Sequence, residues 1–182
     1  RPDDLLRIHG LRLGKIERLV ASSKADVGLA TDPDVDRLAL VSDLGRAIGE
    51  DWTLALAARL VLRSRPGPLV VNLSTSRIMD DVAREAGTRV VRAPVGEVNV
   101  AVTMRAEKAA IGGEGNGGVI LTELHLGRDA PVAVALILQM LVEDGEPLSK
   151  IVARYPSYRI VKNKLDGPKA PLDAVYAALR KA

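Results

Sequence analysis

Between residues 69 and 106, apolar runs short enough to be strands alternate with longer segments of helical period. "LVVNLS" leads into a helical stretch over about 76–86, and "TRVVRA" leads into a second over about 97–106. Strands that succeed one another through a helix lie parallel, because a parallel neighbour is reached only by a crossover of about a dozen residues or more. A chain with this rhythm is held to an α/β fold, a mixed, mostly parallel sheet flanked by helices. "KAAIGG" and "GVIL" add two strands around a glycine-rich turn. Further helices are predicted over 51–63, where Asp51 puts a negative charge in the first turn, over 130–142, and near 147–154.

Upstream, Leu13, Ile16, Leu19 and Val20 recur at helical spacing, so 11–24 is predicted helical, with "DVGLAT" and "LALVSD" as two strands after it. This is a partial α/β unit preceding the main one. The tail "YPSYRIVKNKL" reads as extended, and Pro171 is placed to open a last helix. The chain begins "RPDDLL", without Met, and is expected to be a fragment of a longer protein.

Composition removes several functions. The 26 basic and 23 acidic residues are interspersed and leave a formal charge of +3, with no footprint for nucleic acid. There is no cysteine, hence no disulfide, thiolate metal site or cysteine nucleophile, as befits a reducing cytoplasm. The longest apolar run, "APVAVALILQMLV", falls short of the ~20 residues that span a bilayer and reads as a buried helix.

Ligands of such folds bind where loops leave the carboxyl ends of strands. Three loops are chemically unusual, "TDPDVDR", "RAPVGEVN" and "GGEGNGG". In "TDPDVDR", Asp32, Asp34 and Asp36 alternate and can aim carboxylate oxygens at one point, as a hard cation such as Mg²⁺ requires. The competing reading is an exposed turn whose aspartates cap backbone N–H groups. An EF-hand would need Gly where Arg37 stands and Glu where Asp43 stands. A phosphatase of the haloacid-dehalogenase type needs only Asp-x-Asp and has no use for the third aspartate. Arg37 instead suits charge stabilisation on a moving phosphoryl group.

"GGEGNGG" lacks the Lys-Ser/Thr of a P-loop and leads into a strand. It displays Glu114 and Asn116 beside Gly115, an acceptor and a donor–acceptor suited to sugar hydroxyls, unless it is only a pliant turn. "HLGRDAP" adds His125, Arg128 and Asp129 before the apolar helix, with Asp129 a candidate N-cap and Arg128 a candidate anion binder. His9 is assigned to the surface.

Taken in order, these loops resemble the α-D-phosphohexomutase superfamily, the phosphoglucosamine mutases, phosphomannomutases and phosphoglucomutases. Asp32, Asp34, Asp36 and Arg37 match its Asp-x-Asp-x-Asp-Arg metal loop without a gap. The sugar loop Gly-Glu-x-Ser-Gly-His is matched at Gly113 to Gly118, with Asn116 for Ser and Gly118 for His. Thr-x-Val-Gly corresponds to Ala93 through Val95 and Gly96, with the threonine lost. "VGEVNV", "GGEGNGGVI" and "GRD" are most similar to the archaeal-type branch, often labelled phosphoglucosamine mutase.

The resemblance implies residues 1–47 as the end of a second domain with the metal loop, 48–165 as domain three, and 166–182 as a linker towards a fourth. It implies Mg²⁺ on the three aspartates, catalysis by Arg37, and a phosphosugar held by Val95, Gly96, Glu114, Gly115, Asn116, His125 and Arg128. His125 is the candidate replacement for the lost imidazole. The reaction implied moves a phosphoryl group between C1 and C6 of a hexose phosphate through a phosphoserine and a hexose 1,6-bisphosphate. The serine loop of domain one and the phosphate loop of domain four do not occur in this sequence. The chain is therefore expected to be inactive alone, to bind metal weakly, to require those two domains as partners, and to cover strand edges through possible homodimer contacts. A magnesium phosphatase with Asp32 as nucleophile and a non-catalytic sugar- or metal-binding domain are the alternatives from other classes.

Overall fold

The computed structural model describes residues 7–8, 11–161 and 172–180; His9 and Pro171 lie outside the described residues. The amino-terminal unit comprises β1 (Arg7–Ile8), β2 (Leu11–Arg12), α1 (Gly14–Ser23), β3 (Val27–Thr31) and β4 (Leu38–Ser42). Residues 11 and 12 are strand rather than the helix their apolar spacing suggests, because they pair antiparallel with β1. The strands flanking the acidic loop form an antiparallel hairpin, Thr31 opposite Leu38. α1 packs on one face of this hairpin through Leu13 and Ile16, against Ala30 and Ala39.

The main unit runs α2 (Asp51–Ser64), β5 (Leu69–Asn72), α3 (Ile78–Glu85), β6 (Val90–Ala93), α4 (Glu97–Glu107), β7 (Ile111–Glu114), β8 (Gly118–Leu121), α5 (Ala130–Asp144) and α6 (Leu148–Val152), with α7 (Leu172–Leu179) beyond. Its sheet has the order β6-β5-β7-β8. β5 lies parallel to both β6 and β7, and β8 returns antiparallel to β7. This is the mixed, mostly parallel sheet predicted from the alternation.

Period-two alternation divides the sheet between two layers. Leu69, Val71, Ile111 and Val119 enter the large core shared with α2, α3 and α5. Val70 and Ile120 face the other way, onto Val100 and Met104, which stand one turn apart on α4. The hairpin joins the same large core through Leu38 and Leu40.

Two further expectations need correction. α3 begins at Ile78 rather than near 76, because the Ser76 hydroxyl accepts the Ile78 N–H and the Ser76 N–H is taken by Asp51 Oδ1 at 2.9 Å. α5 is not buried all round: Ala133, Ile137 and Met140 form one inward stripe, whereas Val142 is 83% exposed. It is the outer layer on the sheet, so only one side finds apolar partners. Asp129 caps it as expected, accepting the Val132 N–H at 2.9 Å. Among the described residues no helix is long and apolar enough to cross a membrane.

α2 and α5 are also joined by charge. Asp144 accepts from Arg59 Nη1 and, at 2.6 Å, from Arg63 Nη2. Burial pushes the Asp144 carboxyl up, but the bonds from Arg63 and Arg59 outweigh it and hold the group below its ordinary 3.8. A carboxylate depressed in the folded state contributes stability that is present above its unfolded value and lost as pH falls through the folded one. Asp144→Asn is expected to cost about 2 kcal/mol at pH 7, the scale of charge-assisted hydrogen bonds, or roughly 6 °C in Tm. Thermal melts should show the difference from the parent shrinking as the pH is lowered below 3.8.

Candidate functional site

The acidic loop is organised by its first aspartate. Asp32 is buried, and its Oδ1 accepts the backbone N–H groups of Asp36 and Arg37, each at 3.2 Å. The capping role considered for an ordinary turn is thus present, but only at Asp32. Val35 sits at φ +58°, a strained conformation for a β-branched residue. It is held there by a bond from its own N–H to Asp32 O and by the Ala130 N–H, which donates to its carbonyl at 3.2 Å. The start of α5 therefore fixes the tip of the acidic loop.

Asp32, Asp34 and Asp36 each present an oxygen within 4.8 Å of the others'. That spacing is close to what a hard cation with oxygens at about 2.1 Å demands. Two further observations fit a cation. Asp36 Oδ1 is buried with no hydrogen-bond partner. Arg37, the charge between Asp32 and Asp36, has its Nε 3.4 Å from Asp32 Oδ2 and 3.3 Å from Asp36 Oδ1, in charge contact without hydrogen-bond geometry. Burial pushes the Asp36 carboxyl up, and with Asp32 alongside it stays above its ordinary value despite Arg128 and Arg37. Asp32 is also pushed up by burial but is brought below its ordinary value by the N–H groups it accepts and by Arg37.

The glycine-rich loop abuts this cluster directly. The Leu38 N–H donates to Gly117 O at 3.0 Å, and the Leu38 carbonyl accepts the Thr53 hydroxyl at 2.6 Å. Glu114, at the end of β7, is 5% exposed. Its Oε1 accepts from Asn72 at 2.7 Å, and its Oε2 accepts from Arg128 Nη1 at 2.7 Å and from Asn116 at 3.4 Å. A carboxylate offers about four acceptor sites, so about one is left for a ligand. Gly115 donates its N–H to Thr75 Oγ1, and Thr75 in turn donates to Asn72 Oδ1.

Arg128 draws the loops together. It meets Asp36 Oδ2 through Nη2, Glu114 through Nη1 and Glu97 Oε2 through Nε at 3.3 Å, while its backbone N–H donates to Glu97 Oε1. Arg128 was expected to bind an anionic ligand; in the structure its guanidinium is occupied by the protein's own carboxylates. His125 is similarly occupied, with Nε2 bonded to Asp129 Oδ2 at 2.8 Å and Nδ1 accepting from Gly127 N–H. Among the described contacts it bonds to neither the acidic nor the glycine-rich loop. Val95 is 62% exposed, and Gly96 precedes α4; among the described contacts this turn meets the site through the neighbouring Glu97.

Glu97, Asn72, Thr75 and Asp51 were not picked out from the sequence. Asn72 is a polar residue ending an otherwise apolar strand, Glu97 stands in the "VGEVNV" stretch, and Asp51 reads only as the acid that opens a helix. Thr75 is recruited by contacts distant in sequence and carries no local mark.

Residues 49–158 match the model of the phosphoglucomutase/phosphomannomutase α/β/α domain III. A Methanopyrus kandleri protein named as a phosphoglucosamine mutase is 40% identical over 157 residues, covering 86% of this chain and 35% of its own length. A Thermococcus kodakarensis protein named phosphoglucomutase/phosphomannomutase is 37% identical over 164 residues, covering 88% and 36%. Among solved structures, one described as a phosphomannomutase of Thermus thermophilus superposes with a TM-score of 0.73 at 25% identity, covering 79% of this chain and 33% of its own. The chain thus spans about a third of the length of these relatives. With residues 49–158, more than half of its length, matched by the family model, the chain belongs to the phosphoglucomutase/phosphomannomutase family, of which it carries the α/β/α domain III.

Proposed function

We propose that this chain supplies the metal loop and the sugar loop of a phosphohexomutase, with a phosphoglucosamine mutase the leading assignment. The observation that carries the reading is the meeting of three loops far apart in sequence on a single carboxylate cluster. Five carboxylates, those of Asp32, Asp34, Asp36, Glu97 and Glu114, surround only two guanidinium groups, Arg37 and Arg128. A site with that excess of negative charge suits a cation and repels a bare phosphate.

On this reading Asp32, Asp34 and Asp36 hold Mg²⁺, which when bound supplies charge stabilisation to phosphoryl oxygens. Arg37 provides the positive charge beside it. Glu114 and Asn116 grip hydroxyls of the hexose, and Gly115 keeps the loop close to its support, since a Cβ there would stand 2.2 Å from Asp51 Oδ1. Arg128 and His125, bonded within the protein, shape the loops rather than bind substrate. The phosphoserine and the phosphate-binding loop are assigned to domains outside residues 1–182. Residues 1–47 are assigned to domain two, 48–165 to domain three and 166–182 to the connection towards domain four. Transfer then passes from phosphoserine to one end of the hexose phosphate and back from the other end of the bisphosphate.

A stand-alone phosphatase is disfavoured, because Asp32 is buried and its oxygens face N–H groups and Arg37 instead of open solvent. Phosphomannomutase or phosphoglucomutase activity is the runner-up, and competition among hexose phosphates separates them. Calorimetric titration of the chain with glucosamine 6-phosphate in excess Mg²⁺ tests the sugar loop. Glu114→Ala is expected to weaken binding by about tenfold or more, on the scale of a lost charge-assisted hydrogen bond. Equal affinity for parent and variant would remove Glu114 from the sugar site.

A further inference from the structure

Arg128 is 13% exposed at its side chain and meets one carboxylate from each of three segments: Asp36 from the acidic loop, Glu97 at the start of α4, and Glu114 at the end of β7, where the glycine-rich loop begins. The planar guanidinium can face all three, with Nη1 hydrogen-bonded to Glu114 and Nε in charge contact with Glu97 without hydrogen-bond geometry, because its nitrogens are held in a fixed fork. An ammonium is a compact charge on a flexible stem and does not hold such a bridge in one geometry. The glycine-rich loop is cut to fit the arginine. A Cβ on Gly118 would stand 2.3 Å from Arg128 Cδ and 3.0 Å from its Cγ, so any side chain at 118 and the present course of Arg128 exclude each other. Some of the glycine in this loop thus makes room for a protein side chain rather than for a ligand.

We propose that Arg128 is a positioning residue that makes the acidic loop and the glycine-rich loop one unit, coupling what occupies the aspartates to the placement of Glu114. Asp36 divides its charge between its oxygens. Oδ2 is held by Arg128, and Oδ1 is buried without a hydrogen-bond partner on the side of Asp32 and Arg37. A cation drawn to Oδ1 lessens the hold of Asp36 on Arg128, and the guanidinium then leans more fully on Glu114. By linkage the converse holds: changing Glu114 alters how strongly Arg128 competes for Asp36, and hence cation affinity. The coupling rests on the metal and sugar reading above, whereas the bridge itself is testable without metal.

Mn²⁺ binding, followed by the loss of the free-ion paramagnetic resonance signal, provides the first readout. Glu114→Gln is expected to weaken Mn²⁺ binding about fivefold or more in the parent background, the lower range of site-to-site coupling. It is expected to have no effect in Arg128→Met. Arg128→Lys, which keeps the charge without the fork, should behave like Arg128→Met. A purely structural arginine would lower Tm in both variants while leaving the Glu114→Gln effect intact, and that result overturns the proposal.

Hydrogen exchange of the Gly115 and Gly118 N–H groups provides the second readout, with no ion added. Asp36→Ala and Gly118→Ala, two independent ways of breaking the bridge, should each speed exchange at Gly115 about tenfold. Unchanged exchange in both would also overturn it. If Mn²⁺ fails to bind at the aspartates while exchange responds as stated, the metal reading fails and the bridge stands.

Discussion

Asp32→Asn is expected to lower the affinity of the chain for Mn²⁺ or Mg²⁺ on the order of a hundredfold, at least the upper end of the ten- to hundredfold typical of outer partners of a metal site. The asparagine oxygen can still accept the Asp36 and Arg37 N–H groups that Asp32 Oδ1 now holds at 3.2 Å, so the turn retains its main internal bonds. What is lost is a charge and an ionised oxygen from a cluster in which Asp36 Oδ1 already has no hydrogen-bond partner. The substitution therefore separates binding from folding. Tm should fall by only a few degrees while calorimetry shows the cation signal gone. An unchanged cation affinity would mean that Asp32 only shapes the turn.

The largest stability effect is expected at the junction of the two loops. Gly117 has φ +89°, and a Cβ there would stand 2.5 Å from the carbonyl oxygen of Leu38, with the Leu38 carbonyl carbon and nitrogen both 3.3 Å away. These are backbone atoms of a strand end that is itself hydrogen-bonded to Gly117. They cannot rotate aside as a side chain would. Gly117→Ala should cost about 1–3 kcal/mol in backbone strain and about as much again in forced displacement. A total near 4 kcal/mol corresponds to a fall in Tm of roughly 8–16 °C. Gly87→Ala is the control, since Gly87 has φ +67° with nothing within 4 Å of its Cβ position. Its cost should stay near 1 kcal/mol. Equal costs at the two positions would show that the loops are not packed backbone to backbone.

The layered fold was readable because burial in a sheet and a helix leaves a local period. Leu69, Val70 and Val71 form a continuous apolar strand because both faces of β5 are covered, and α4 shows Val100 and Met104 a turn apart. Boundaries set by polar contacts across the chain were not readable. Asp51 fixes the Ser76 N–H and delays α3, and no local pattern around Ser76 records that partner. The apolar composition of α5 suggested full burial, yet its outer face has no layer to meet within the described residues.

The site divides in the same way. Asp32, Asp34 and Asp36 are readable because they lie within one turn, although the bonds to Asp32 Oδ1 and the start of α5 that hold the turn in shape are not. Glu114 could be singled out for its place among glycines, but its hold by Asn72 and Arg128 depends on the register of β5 with β7 and on where α5 starts. Arg128 looked available for an anion because the sequence shows its charge and not the three carboxylates that meet it.

The central claim is that these loops form one cation-dependent phosphosugar site, and amide chemical shifts of the chain labelled with nitrogen-15 test it most directly. Glucosamine 6-phosphate added in millimolar Mg²⁺ should move the resonances of Asp32 to Arg37 and Gly113 to Gly118 together, with much smaller shifts when Mg²⁺ is replaced by EDTA. Shifts confined to residues elsewhere, or a sugar response at Gly113 to Gly118 that is the same with and without the cation, would contradict it.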